Sequence, residues 1–75
     1  MDTKQPIRLS VLPPIMSQEQ LSHFIGVTQD TVRGWVEQRT IPTVKIGRKR
    51  YINAVKLAED LSSGKTVFCK GDYGD

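Results

Sequence analysis

The side chains best able to do chemistry in this chain are cations. Between Thr31 and Lys56 stand Arg33, Arg39, Lys45, Arg48, Lys49, Arg50 and Lys56, opposed by Glu37 alone, so this window carries +6. The rest of the chain sums to −3, which leaves a formal net charge of +3 over 75 residues. Gathered cations add their fields, and a basic centre between acidic ends suits a polyanionic partner. The densest run, Arg48-Lys49-Arg50, follows Gly47 and reads otherwise as a solvated basic loop.

Catalytic chemistry has much weaker material. His23 is the sole histidine and Cys69 the sole cysteine, and they lie far apart in sequence. His23, beside Phe24, reads as a partly exposed surface histidine. No C-x-x-C pair, H-E-x-x-H motif or Gly-rich phosphate loop occurs, and Gly47-Arg48-Lys49 lacks the Walker spacing. No catalytic residue, metal or cofactor is therefore expected.

Size narrows the choice further. One small domain with a thin core has little room for a deep substrate pocket. A single cysteine permits no internal disulfide, which fits a reducing cytoplasm. No apolar run approaches the roughly 20 residues of a membrane helix. Met1-Asp2-Thr3-Lys4 does not begin a signal peptide.

The elements that must position the cations follow from periodicity and caps. Residues 1–15 form an arm, with a short strand expected over Ile7-Arg8-Leu9-Ser10-Val11 and stopped by Pro13-Pro14. Residues 16–61 form the domain. Ser17 and Gln20 have capping-box spacing, with Met16 and Leu21 as the hydrophobic staple. Leu21, Phe24 and Ile25 share one face of this first helix, and Gly26 ends it as a left-handed residue. Thr28 caps a second helix with Asp30 in its first turn. Val27 and Val32 repeat the staple spacing. Val32, Trp35 and Val36 make its buried stripe, and the helix fades near Gln38 or Arg39. Val44 and Ile46, a Gly47 turn, then Tyr51 and Ile52 make a hairpin with a basic tip. Alternation alone does not decide which of Tyr51 and Ile52 faces inward. Asn53 caps a third helix whose apolar face is Ala54, Leu57, Ala58 and Leu61. Residues 62–75 form a tail with one apolar cluster around Val67 and Phe68.

Two short capped helices, a tight Gly turn and a basic hairpin are mainly α with a small β-hairpin wing: a winged helix-turn-helix. Such a second helix fits the major groove of double-stranded DNA, about 12 Å wide. The residues it presents are Thr28, Gln29, Thr31, Arg33, Gly34 and Gln38. Gln pairs with adenine and Arg with guanine. Asp30 has three readings: an acceptor for cytosine, a partner for Arg33, or a stabiliser of the helix start. Gly34 costs about 1 kcal/mol relative to Ala in a helix, a cost that close approach of a nucleic-acid strand would justify. Lys45, Gly47, Arg48, Lys49 and Arg50 form the wing, where phosphate contacts set affinity and register. Trp35 and Tyr51 are also possible stacking platforms for single strands, though Trp35 sits on the core stripe.

Met16 to Leu61 resembles the excisionase and MerR-type winged-helix module. The matching phrases are Ser17-Gln18-Glu19-Gln20-Leu21, Phe24-Ile25-Gly26-Val27-Thr28, Thr31-Val32-Arg33, Trp35-Val36 and Ile41-Pro42, then Val44 through Ile52. The short length and the Pro entry before helix one look like the Cox-type regulators of temperate phages. That resemblance implies binding to repeated DNA sites, bending of the DNA, excision with the phage integrase and repression of the lysogenic promoter. It places Gln29, Thr31 and Arg33 in the major groove and Arg48 with its neighbours at the wing. Two departures stand out: the usual small residue of helix one is replaced around Ser22-His23, and Arg39-Thr40 replaces the usual glycine after helix two. A module this small needs several copies on DNA, and Val67 with Phe68 is the expected self-association segment if the tail is ordered. A plain transcription regulator, and a protein-interaction adaptor using the basic wing, are the alternatives.

Overall fold

The computed structural model describes residues 13–74. Its elements are β1 (Ile15–Met16), α1 (Gln18–Ile25), α2 (Gln29–Glu37), β2 (Thr43–Ile46), β3 (Lys49–Asn53) and α3 (Ala54–Ser62). The three strands form one antiparallel sheet in the order β1-β3-β2. This is a winged helix-turn-helix. The strand expected over Ile7–Val11 lies outside the described residues.

Local chemistry sets the helix starts. The Ser17 hydroxyl accepts from Gln20 N at 3.0 Å, and Gln20 Oε1 accepts from Ser17 N at 2.9 Å. Two orphan donors of the first turn are thereby satisfied by one reciprocal pair. Gly26 takes φ 80° and donates to Ser22 O, which turns the chain into α2 within three residues. Thr28 Oγ1 caps α2 by accepting from Thr31 N at 3.1 Å. Asn53 Oδ1 caps α3 by accepting from Lys56 N at 3.0 Å.

The core is Met16, Leu21, Val32, Val36, Ile41, Ile52 and Ala54, with Val27, Trp35, Leu57 and Phe68 packed against it. The hairpin register pairs Thr43 with Ile52 and Val44 with Tyr51, so Ile52 is the inward residue and is 0% exposed. Ser22 is itself a small buried residue of α1, 1% exposed, with its hydroxyl returned to Glu19 O at 2.7 Å. The apolar face expected for α1 is only partly covered. Leu21 is buried, whereas Phe24 and Ile25 are exposed. Leu61, expected inward on α3, is exposed as well. The face shared by these two helices is wider than the sheet and α2 can cover.

After α2 the chain closes a Schellman turn. Thr40 N donates to Trp35 O and Arg39 N to Val36 O, with Arg39 at φ 59°. This left-handed position usually holds glycine. Its guanidinium Nη1 donates to Val36 O at 2.9 Å, a second local tie. The departure read in the sequence at Arg39-Thr40 thus leaves the turn geometry intact. Left-handed strain costs about 1–2 kcal/mol for a non-glycine residue, while glycine gives back roughly 0.4–1 kcal/mol through unfolded-state entropy. Arg39→Gly is therefore expected to stay within about 1 kcal/mol of the parent. Arg39→Val, with a branched Cβ, loses clearly more. Urea unfolding of both checks this; a glycine variant less stable than the valine variant would contradict it.

The tail is ordered onto the domain. Gly71 N donates to Gln38 O at 2.8 Å and Tyr73 N to Arg39 O at 2.9 Å, so it finishes the carbonyls at the end of α2. Tyr73 also donates its hydroxyl to Asp60 of α3. Burial, then that carboxylate, pushes the Tyr73 phenol up to about 12. The Tyr73 hydrogen bond holds Asp60 below the usual carboxylate range. Asp72 is held low by the Cys69 N–H and Lys65. Depressed carboxylates stabilise at pH above their ordinary value of 3.8 and release that contribution as pH falls through their lowered values. Acid is thus expected to detach the tail first, read as a change in Tyr73 environment below pH 3.8 before helix loss. Tyr73→Phe should move that early step.

Candidate nucleic-acid interface

Helix α2 presents a polar row opposite its buried stripe. Val32 and Val36 point inward and Trp35 is half-buried against the core, so Trp35 is no open stacking platform. Thr28, Gln29, Asp30, Thr31, Arg33, Glu37 and Gln38 are exposed. Arg33 is ion-paired with Asp30 one turn earlier, on a surface where both side chains remain largely in water. An exposed i,i+3 pair adds only tenths of a kcal/mol, roughly 0.2–0.5, to the helix. Its larger effect is to hold the guanidinium along the helix. Thr28 and Thr31 share a hydroxyl contact at 2.9 Å, so both are committed to the cap while their outer faces stay open.

Gly34 sits in this row, and a Cβ placed there meets nothing within 4 Å. The fold itself therefore does not require the glycine. Gly34→Ala should stabilise the free protein by about 0.5–1 kcal/mol. If a nucleic-acid strand approaches at this point, the same change weakens duplex binding by about tenfold, or roughly 1.4 kcal/mol. Thermal melts and binding titrations on one preparation separate the two effects. A methyl that stabilises without weakening binding would remove Gly34 from the contact surface.

The wing carries the charge. Gly47, at φ 64°, opens the two-residue turn Gly47-Arg48, where the first central position of a type II′ hairpin needs positive φ. Lys45, Arg48 and Lys49 are exposed. Arg50 differs: it is half-buried and its Nη1 donates to Thr43 Oγ1 at 3.1 Å across the hairpin. Arg50 thus braces the wing, and three of the four expected wing cations have unhindered heads. Two residues stand in settings that the sequence did not reveal. Ile46 is 52% exposed, because its pairing with Lys49 puts it on the Val44–Tyr51 face of the hairpin, opposite the buried Ile52. Gln18 Nε2 donates to Arg50 O at 3.2 Å and ties the start of α1 to the wing. Its cue, a polar residue just after a cap, is too common to have singled it out. Together Ser17, Gln18, Arg48, Lys49, Arg50 and Tyr51 border an open polar recess between α1 and the hairpin.

The electrostatic division is clear. The α2 row carries one cation against Asp30 and Glu37, whereas Lys45, Arg48 and Lys49 stand together on the wing. The exposed cations are thus gathered on the wing, and the exposed hydrogen-bonding side chains on the helix. Val67 is exposed, but Phe68 packs on the core of its own chain and stacks near Tyr73. Of the two residues expected to join copies, Phe68 is thus already engaged within the protomer.

A family model described as a helix-turn-helix domain matches residues 15–63. The chain belongs to the helix-turn-helix domain family. This helix-turn-helix protein is also 49% identical over 63 residues to the "10.1 kDa protein" of Pseudomonas phage Pf1, covering 80% of this chain and 70% of that relative. No solved structure matches it. Membership makes DNA binding the activity of this class, in accord with the charge and the two elements described above. Among the described residues no group of three metal-ligating side chains comes together, and no helix is long and apolar enough to cross a membrane.

Proposed function

We propose that this helix-turn-helix protein binds double-stranded DNA sequence-specifically and acts as an excisionase, or recombination directionality factor, and transcriptional repressor in a phage lysis-lysogeny switch. The observation that carries the reading is the division between an exposed, hydrogen-bonding α2 row and an exposed cationic wing, the wing being tied to the start of α1 through Gln18 and the Arg50 carbonyl. The phage origin of its 49%-identical relative supports the setting. Gln29, Thr31 and Arg33 read bases, Gly34 and Gln38 lie close to the strand, and Lys45, Arg48 and Lys49 hold phosphates around the Gly47 turn. The protein works in the cytoplasm of a bacterial host, in several copies side by side on repeated sites, with Val67 as the contact between copies and the phage integrase as partner.

Selection of duplexes from a random pool, followed by footprinting, tests this. The expected result is an enriched motif repeated in tandem, protected cooperatively and bent. A single isolated site without bending would leave a plain regulator. No enrichment would sink the DNA reading and favour an adaptor whose wing meets an acidic protein.

A further inference from the structure

The end of α2 uses its own turn for three carbonyls: those of Gly34, Trp35 and Val36 accept from Gln38 N, Thr40 N and Arg39 N. The carbonyls of Gln38 and Arg39 are answered from elsewhere. They accept from Gly71 N at 2.8 Å and from Tyr73 N at 2.9 Å. Helix α2 reaches β2 through the link from Gln38 to Pro42, so the tail grips that link at its first two residues.

The gripping segment is itself rooted in α3. Asp60 holds both of its ends: its carbonyl accepts from Lys65 N at 2.9 Å, and its carboxylate accepts from the Tyr73 hydroxyl. Within the loop, Asp72 Oδ2 accepts from Cys69 N and from Lys65 Nζ, both at 2.9 Å. The Lys65 ammonium lies 4.8 Å from the Phe68 ring centroid and 5.8 Å from that of Tyr73. Phe68, packed on the core, borders an apolar depression with Trp35 of α2 and with Leu57 and Leu61 of α3. A loop whose ends meet and whose own side chains fill it is a compact body. Helix α3 in turn continues β3 without a break, and β3 carries the wing at its other end.

We infer that residues 71–73 are a brace that fixes the far end of α2 relative to α3, with Tyr73 as its positioning residue. The near end of α2 is set by the Gly26 turn, and the brace closes the path from α2 through the tail, α3 and β3 to the wing. Its consequence for base reading rests on the proposed binding of duplex DNA. A recognition surface must hold its side chains within about 0.5 Å of the productive geometry. Tyr73 serves that end through the backbone of Arg39 and the carboxylate of Asp60.

Two full-chain variants test the brace. Tyr73→Pro removes both Tyr73 bonds at once and leaves Phe68 in place, and Tyr73→Phe removes the hydroxyl bond alone. In the free protein, amide exchange of Gln38, Arg39 and Thr40 should quicken about tenfold or more in the proline variant. The phenylalanine variant should show a smaller rise, and Val32 and Ile52 should hold their protection in both. A duplex with a single copy of the selected site keeps contacts between copies out of the titration. Affinity for it should fall about tenfold in the proline variant. Affinity for a random duplex should fall less than about twofold, with its salt slope retained, because the phosphate contacts survive. Unchanged exchange in the proline variant overturns the brace. Quickened exchange with equal losses on both duplexes, or with none, overturns its role in positioning. A parent chain that prefers no duplex would count against the proposed function alone, because the exchange measurement reads the brace without DNA.

Discussion

Replacing Arg48 and Lys49 with glutamate lowers duplex-DNA affinity by on the order of 100-fold at 0.1 M salt. Each neutralised phosphate contributes about 0.9 to the salt slope. Losing two such contacts at 0.1 M removes roughly 60-fold, and the new negative charges repel what remains. The slope of log affinity against log salt should fall by about 2. Both side chains are exposed, so the fold should tolerate the change. Arg50 belongs to a different case. Its head donates to Thr43 Oγ1, so Arg50→Ala should lower stability more than its share of affinity. Arg33→Ala should behave differently again, costing about 1–3 kcal/mol on the preferred sequence and much less on a random one. Fluorescence titrations over a salt series distinguish all three. An unaltered slope for the double glutamate variant would remove the wing from the DNA surface and leave the protein-adaptor reading.

The second large effect is on folding. Ile52→Ala is expected to cost about 2–5 kcal/mol. A domain of this size holds only about 5 kcal/mol in total. Ile52 is 0% exposed in the central strand, with β1 on one side and β2 on the other, so little can collapse into the space left. The variant should be largely unfolded at 37 °C and silent on DNA. Ile46→Ala, the same substitution six residues earlier on the same hairpin, should change stability by less than about 0.5 kcal/mol, because half its surface is already in water. Urea denaturation of the pair gives the comparison. Similar losses for both would mean that the wing tip is packed in solution.

Much of the fold was legible because it is governed by local rules. The Ser17 box, Gly26, the Thr28 and Asn53 caps and the Gly47 turn each need a particular residue type, and each is visible within a few positions. Strand β1 was hidden, since two residues show no periodicity and Ile15–Met16 is a strand only through its pairing with Ile52 and Asn53. Phe24 and Leu61 were assigned inward by spacing, which gives a face its direction and not its cover. The inward choice of Ile52 over Tyr51 depends on register, which only the partner strand supplies. In the interface, the polar row of α2 and the basic tip were readable from composition. That Arg50 spends its head on Thr43, and Phe68 its ring on the core, depends on contacts between distant segments.

Strand β3 occupies the middle of the sheet, and this has a mechanical consequence. At one end it rises into the wing, and at the other it is laced to β1, whose next residues start α1. The wing and the helix pair are therefore coupled through backbone bonds that lie across the strand direction and resist sliding together. A load applied at the wing reaches α1 through this stiff seam, and α2 across the Gly26 turn. Under the proposed function, a duplex held at the wing and at the helix pair would meet a frame whose angle the protein sets, and the DNA would be what yields.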